Sequence, residues 1–199
     1  MLPKEIQQFI ESFSKLPSVG PRLATRLAFH IIGKDKASAA RIESALHGLG
    51  KLSRCERCFF LKEEGKNVCD ICGDTKRDPS IIAIVEKETD LIAIEKTKIF
   101  KGQYFVLGEL SEKTTLEAGQ KLRLERLKKR INDELAGKAK EIIIALALNS
   151  FGDFTAMLIT DMFKNSALKI TRIGRGIPTG GEIEFADEET LVSALERRS

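Results

Sequence analysis

The stretch RCERCFFLKEEGKNVCDICGDTKR, residues 54–77, holds all four cysteines of the chain, spaced C-x2-C-x10-C-x2-C: Cys55, Cys58, Cys69 and Cys72. Two such pairs, each from a tight knuckle, can close a tetrahedron of thiolates around one zinc ion. The segment between them is short and polar, as in Glu63-Glu64-Gly65-Lys66-Asn67. A piece this small buries no core of its own, so a metal is the expected staple. Gly65 and Gly73 are expected to supply the turning freedom of the knuckles. Four thiolates leave no open coordination position, so the expected zinc, one per chain, is structural and not catalytic. Two disulfides would use the same residues, but Met1-Leu2-Pro3-Lys4-Glu5 has no apolar run of the signal-peptide kind. A redox pair needs only one C-x-x-C beside a βαβ unit.

Charge divides the chain at this stretch. The 199 residues carry a net +4; residues 1–54 hold nine Lys/Arg against four Asp/Glu, a net +5, which leaves −1 for the remainder. The basic excess lies wholly before the cysteines. It suits an anionic partner, and equally a solvated helical surface. A composition of 42% hydrophobic and 31% charged residues fits a soluble globular protein. No apolar run is long enough to span a membrane, and a cytoplasmic protein with reduced thiols is expected.

Upstream, Ile6, Phe9, Ile10 and Phe13 recur at helical spacing and predict a helix over 3–14. Leu16-Pro17-Ser18-Val19-Gly20-Pro21 follows; Gly20 can take a positive φ and Pro21 suits the first turn of a second helix. Leu23, Leu27 and Ile31 mark the expected buried side of that helix. Helix, tight apolar turn with glycine, helix is the plan of a helix-hairpin-helix. The second helix opens with N–H groups free to receive a phosphate oxygen. Arg22 and Arg26, four apart on one face, are placed to flank it, with no dependence on base sequence. Asp35 is expected to cap a third helix running to about Leu52, with Ile42, Ala45, Leu46 and Leu49 inward. His30, beyond the turn, reads as a packed or surface histidine, and His47 has no ligand-like neighbour.

Downstream, Ile81-Ile82-Ala83-Ile84-Val85 is a β-branched run of the kind buried on both faces of a sheet. Tyr104 to Leu107, Ile142 to Leu146 and Leu168 to Ile173 predict three further strands. Helices are expected after each of the first three strands: around Leu91 to Ile94, over 117–131, and from Asp153 to Asn165. The second of these buries Leu124, Leu127 and Ile131 and carries Arg123, Arg126, Lys129 and Arg130 around it. Strands alternating with helices predict a parallel sheet covered on both faces. Chemistry in such a sheet gathers at the carboxyl ends of strands, where Glu86 and Asp153 fall. Two carboxylates there can hold Mg²⁺ for phosphoryl transfer, or can serve as helix caps. The chain then reads Arg172-Ile173-Gly174-Arg175-Gly176-Ile177-Pro178-Thr179-Gly180-Gly181, a glycine-rich loop without the lysine-serine pair of a phosphate-binding loop. Glu182 to Phe185 is expected as a short strand, and Asp187 as the cap of a last helix that buries Leu191, Ala194 and Leu195.

Taken in order, these parts resemble the RecR family of bacterial recombination-repair proteins. The resemblance rests on Leu16-Pro17-Ser18-Val19-Gly20-Pro21, Arg54-Cys55 through Arg77-Asp78, the Ile-Val-Glu strand end at Glu86, Tyr104 to Leu107, Arg175 to Gly181, and Ala186-Asp187-Glu188 with Thr190-Leu191. It runs over nearly the whole length. It implies an α/β multi-module protein: a helix-hairpin-helix DNA-binding domain over 1–53, a four-cysteine zinc finger over 54–77, a Toprim-type parallel α/β domain over 78–176, and a C-terminal strand-helix element over 177–199. It further implies a non-enzymatic DNA-repair factor that forms ring-shaped tetramers. Such a factor acts with RecO, and in many bacteria RecF, to help place RecA on single-stranded DNA. Arg22 and Arg26 match the family's DNA contacts, and Glu86 matches the first acidic Toprim position, which contributes to partner contacts. At the second acidic position the family has Glu-Gly-Glu where this chain has Phe151-Gly152-Asp153, so one carboxylate is replaced by phenylalanine. That loss argues against the alternative, a metal-dependent Toprim nuclease or other phosphoryl-transfer enzyme.

Overall fold

The computed structural model describes residues 2–110, 115–196 and 198. The chain forms two compact units, Met1–Leu52 and Ser53–Ser199. Among the described residues no helix is long and apolar enough to cross a membrane.

The first unit contains α1 (Lys4–Phe13), α2 (Pro21–Ile32) and α3 (Lys36–Leu49). Helix α1 stacks Phe9 on Phe13 with ring centroids 3.9 Å apart. Between α1 and α2 the backbone turns at Ser18, which takes a φ of +62°, while Gly20 sits in extended backbone as the N-cap of α2. The expected positive φ thus falls two residues early. A bend centred on Ser18 lets Gly20 enter the helix from the β region, the usual N-cap conformation. The side of α2 that is fully covered is made by Ala24 and Ala28. Leu27 and Ile31 are only partly covered, and Leu23 is exposed. Small residues here let neighbouring backbone come close. Asp35 caps α3 by accepting from the Ser38 N–H at 2.7 Å, as its position suggests. However, Ile42, Ala45, Leu46 and Leu49 all face outward from this chain. The apolar spacing marks a face, and it stays exposed among the described residues.

The second unit opens with the cysteine module: β1 (Ser53–Arg54), β2 (Leu61–Lys62) and the short α4 (Asp70–Gly73). There follow β3 (Asp78–Val85), α5 (Glu88–Lys96), β4 (Gly102–Val106), α6 (Ala118–Glu134), β5 (Glu141–Ala145), α7 (Ser150–Phe163), β6 (Ile170–Arg172) and α8 (Glu188–Glu196). The four long-domain strands form one parallel sheet in the order β4-β3-β5-β6. Both of its faces are buried, and alternate residues of each strand serve opposite faces. Ile82, Ile84, Phe105, Ile142 and Ile144 pack with Leu124, Leu127 and Ile131 of α6 and Ile159 and Phe163 of α7. Ala83, Val85, Tyr104 and Val106 face Leu91 of α5. This is why Ile81 to Val85 reads as a continuous apolar run.

Three local expectations change. Helix α7 begins at Ser150 with Asn149 as its cap, so Asp153 lies inside the first turn and is not the cap. Ile183–Phe185 is a 3-10 turn, not a strand: Phe185 and Ala186 close hydrogen bonds back onto Glu182 and Ile183. Asp187 does cap α8, accepting from the Thr190 N–H at 2.9 Å, but Leu195 stands exposed, and Leu191 and Ala194 are half-covered.

Candidate metal centre and nucleic-acid interface

The cysteine module folds against the edge of the sheet. Phe59 follows the first knuckle in left-handed backbone, φ +63°. Its ring meets Phe105 edge-on at 5.5 Å, and the Val106 N–H donates to the Cys58 carbonyl at 2.8 Å. The Arg123 guanidinium lies 4.7 Å over the same Phe59 ring. The exposed edge of β4 is therefore occupied by the knuckle's own main chain. Gly65 takes the expected positive φ, +83°. Gly73 does not: it ends α4 in helical backbone, and a side chain there would meet only Val68 at ordinary distance.

All four cysteines are buried and none forms a disulfide. Their sulfurs lie within 4.8 Å of one another, with Cys58 Sγ 3.5 Å from Cys69 Sγ. Zn–S bonds of about 2.3 Å in a tetrahedron separate sulfurs by about 3.8 Å, so the donor set fits a zinc ion. Backbone N–H groups already point at three of the sulfurs: Cys69 N to Cys55 Sγ at 3.4 Å, Phe60 N to Cys58 Sγ at 3.4 Å, and Cys72 N to Cys69 Sγ at 3.5 Å. Shared hydrogen bonds, that to Cys55 first, together with burial push the Cys58 and Cys72 thiols well above their ordinary range. Four sulfurs this close ionise together only around a cation.

Glu86 and Asp153 have separate fates. Glu86 follows β3 and is buried; its Oε1 accepts from the Leu110 N–H at 3.2 Å and lies 3.7 Å from Lys87 Nζ. It organises the loop after β4 and does not cap α5, whose cap is Lys87. It also lines a cavity of about 580 Å³ with Arg54, Glu88, Gly108 and Arg123. Asp153 is gripped by Arg172 and by Arg175, whose Nη2 reaches both carboxylate oxygens at 2.9 Å. The Arg172 bond first, and Arg175 with it, hold the Asp153 carboxyl below its usual range against the opposing effect of burial. Arg175 also pairs with Glu189 of α8, so Asp153 anchors the chain's last helix. Among the described residues, the four cysteines are the group of potential ligands close enough to share an ion; Glu86 and Asp153 enter no such group. The clamp by Arg172, Arg175 and Glu189 has no counterpart in the sequence pattern. Arg172 ends β6 and Arg175 sits in the glycine-rich loop that follows it.

In the first unit, Arg22 and Arg26 are both exposed and make no ion pair among the described residues. They flank an N-terminus that lacks a side-chain cap: Gly20 has none to offer, and Pro21 at the first helical position carries no N–H. A side chain at Gly20 would meet nothing within 4 Å, so the approach to this helix end is open.

Comparison with known proteins matches this layout part by part. Residues 6–49 match the family model described as RecR, helix-hairpin-helix; residues 80–174 match the Toprim domain; residues 176–199 match RecR, C-terminal. The chain is 39% identical over 194 residues to the recombination protein RecR of Paenarthrobacter aurescens, covering 97% of this chain and 95% of that protein. The chain belongs to the RecR family. Relatives of the same name include that of Streptomyces coelicolor, 39% identical over the same shares of both chains. The relative from Gloeobacter violaceus is 37% identical over 100% of this chain and 98% of its own. Helix-hairpin-helix, four-cysteine cluster, Toprim sheet and C-terminal helix therefore occur together here, as the resemblance read from the sequence implied.

Proposed function

We propose that this RecR-family chain is a sequence-independent DNA-binding mediator of recombinational repair. In this reading it acts in the cytoplasm with RecO- and RecF-type partners to help load RecA on single-stranded DNA. The observation that carries the reading is the uncapped start of α2 with two exposed arginines one turn apart that make no ion pair among the described residues. Backbone N–H groups at such an end receive phosphate oxygens, and guanidiniums beside them add charge without reading bases. Zinc, held by Cys55, Cys58, Cys69 and Cys72, staples the cysteine module and takes no part in chemistry. Assembly into a homotetramer is supported by the apolar side chains that α2 and α3 leave open, among them Phe29, Ile32, Leu46 and Leu49.

The Toprim acids belong to this proposal as parts of a partner-facing surface, with Glu86 shaping the loop after β4 and Asp153 tying down the carboxyl-terminal helix. Catalysis by a bound Mg²⁺ has this against it: both Asp153 oxygens are already committed to guanidiniums. The test is binding of the intact protein to gapped duplex DNA across a salt series, followed by incubation with Mg²⁺ or Mn²⁺. Binding that weakens steeply with salt, and DNA that stays uncut, is the expected result. Absence of binding even in dilute buffer refutes the DNA reading. Cleavage that disappears in Glu86→Gln establishes the phosphoryl-transfer reading instead.

A further inference from the structure

Arg130, on α6, is only 8% exposed. Its Nη1 donates to the Arg57 carbonyl at 3.1 Å, inside the first knuckle between Cys55 and Cys58. Its Nε and Nη2 are buried and have no acceptor among the described residues. Arg130 forms no salt bridge there either, because the nearby Glu134 is taken by Arg57. A buried guanidinium with two idle donors is costly, and a native structure keeps one only where something answers its charge.

One sulfur is also left without a backbone donor. The sulfurs of Cys55, Cys58 and Cys69 each accept a backbone N–H, whereas Cys72 Sγ accepts none among the described residues. Four thiolates around a divalent ion carry two surplus negative charges.

We infer that Arg130 is the charge partner of the tetrathiolate ion, held against the first knuckle by its bond to the Arg57 carbonyl with two buried donors left to answer the ion's surplus charge. This rests on the metal reading proposed above. Arg130 touches no substrate and is a positioning residue: it ties α6 to the knuckles through the ion's surplus charge. Loss of the ion leaves a buried cation with nothing to balance it.

The probes are Zn²⁺ and Co²⁺ alone, added to the full chain in reduced, metal-free form. Arg130→Met keeps length and removes charge. It should bind Co²⁺ about 10–100-fold more weakly and shift the thiolate-to-cobalt absorption band. Arg130→Lys keeps the charge and should stay within about threefold of the original chain, as should Lys128→Met, an exposed neighbour on α6. The metal-free proteins supply a readout that a packing role alone would not move. Loaded with Zn²⁺, Arg130→Met should melt below the original chain; without metal it should melt no lower. Equal Co²⁺ affinity in Arg130→Met, or an equal drop in melting temperature with and without metal, overturns the inference. If Arg130→Met does not fold, Arg130→Lys decides, and a loss beyond about tenfold overturns the inference. An original chain that binds neither ion removes the metal reading and this inference together, whereas normal binding with no effect at Arg130 removes this inference alone.

Discussion

Replacing Arg22 and Arg26 together by alanine isolates the proposed phosphate contact. Each phosphate neutralised on duplex DNA releases condensed counterions, giving a slope of about −0.9 in log K against log salt. Two lost contacts per protomer therefore flatten that slope by about 1.8, which at roughly 0.1 M salt is a loss of about 60-fold in affinity, shrinking towards none near 1 M. Stability should hardly move. Both side chains are exposed and unpaired among the described residues, and surface changes of that kind stay within about 0.5 kcal/mol. Fluorescence anisotropy with labelled gapped DNA, from roughly 0.05 to 0.5 M salt, gives the slope directly. A control variant, Lys96→Ala with Lys128→Ala, removes the same net charge from exposed positions of the second unit. The reasoning fails if the arginine variant keeps the original slope, or if the control flattens it equally. Either result would make the binding a matter of overall charge and not of the α2 end.

Two further perturbations test the Toprim unit. Asp153→Asn removes the charge that Arg172 and Arg175 grip. Because that carboxyl is held below its usual range, its contribution is present above the unfolded pKa near 4 and is lost as pH falls through the lower folded value. Partly exposed pairs contribute little, so the variant should be about 0.5–1 kcal/mol less stable at pH 7, with the gap closing in acid as pH falls through the lowered folded value. Denaturant melts at both pH values check this, and a gap independent of pH would refute it. Gly152→Ala should be more damaging, since its new Cβ would stand 1.8 Å from the Ala147 carbonyl oxygen. Overpacking of that kind costs about 1–3 kcal/mol, or some 2–4 °C of melting temperature per kcal/mol in a chain of this size. An unchanged melting temperature would show that the turn before α7 gives way freely.

The glycine between Phe151 and Asp153 illustrates how legibility divides. Its place in sequence suggested an altered acidic motif. Its physical role, close passage over the Ala147 carbonyl, depends on how β5 hands the chain to α7. The knuckle shows the reverse. Gly73 reads as a turn residue, yet the left-handed positions of the module are Gly65 and Phe59, the latter packed edge-on against Phe105. In the first unit the helices fell where apolar spacing and Asp35 put them. The inward side of α2 did not, since periodicity identifies an apolar stripe and is silent about its cover.

Spacing of the cysteines, the β-branched strand runs and the helical repeat of Leu124, Leu127 and Ile131 set the modules, their order and the sheet by themselves. These are signals between residues close in the chain, governed by backbone periodicity and ligand geometry. The fate of the charged groups was settled only in three dimensions. Asp153 meets its arginines across 19 and 22 residues, and Arg130 reaches the first knuckle across 73. A carboxylate or guanidinium takes its chemistry from whichever partner folding brings within a few ångströms, and no repeat in the chain records that neighbour.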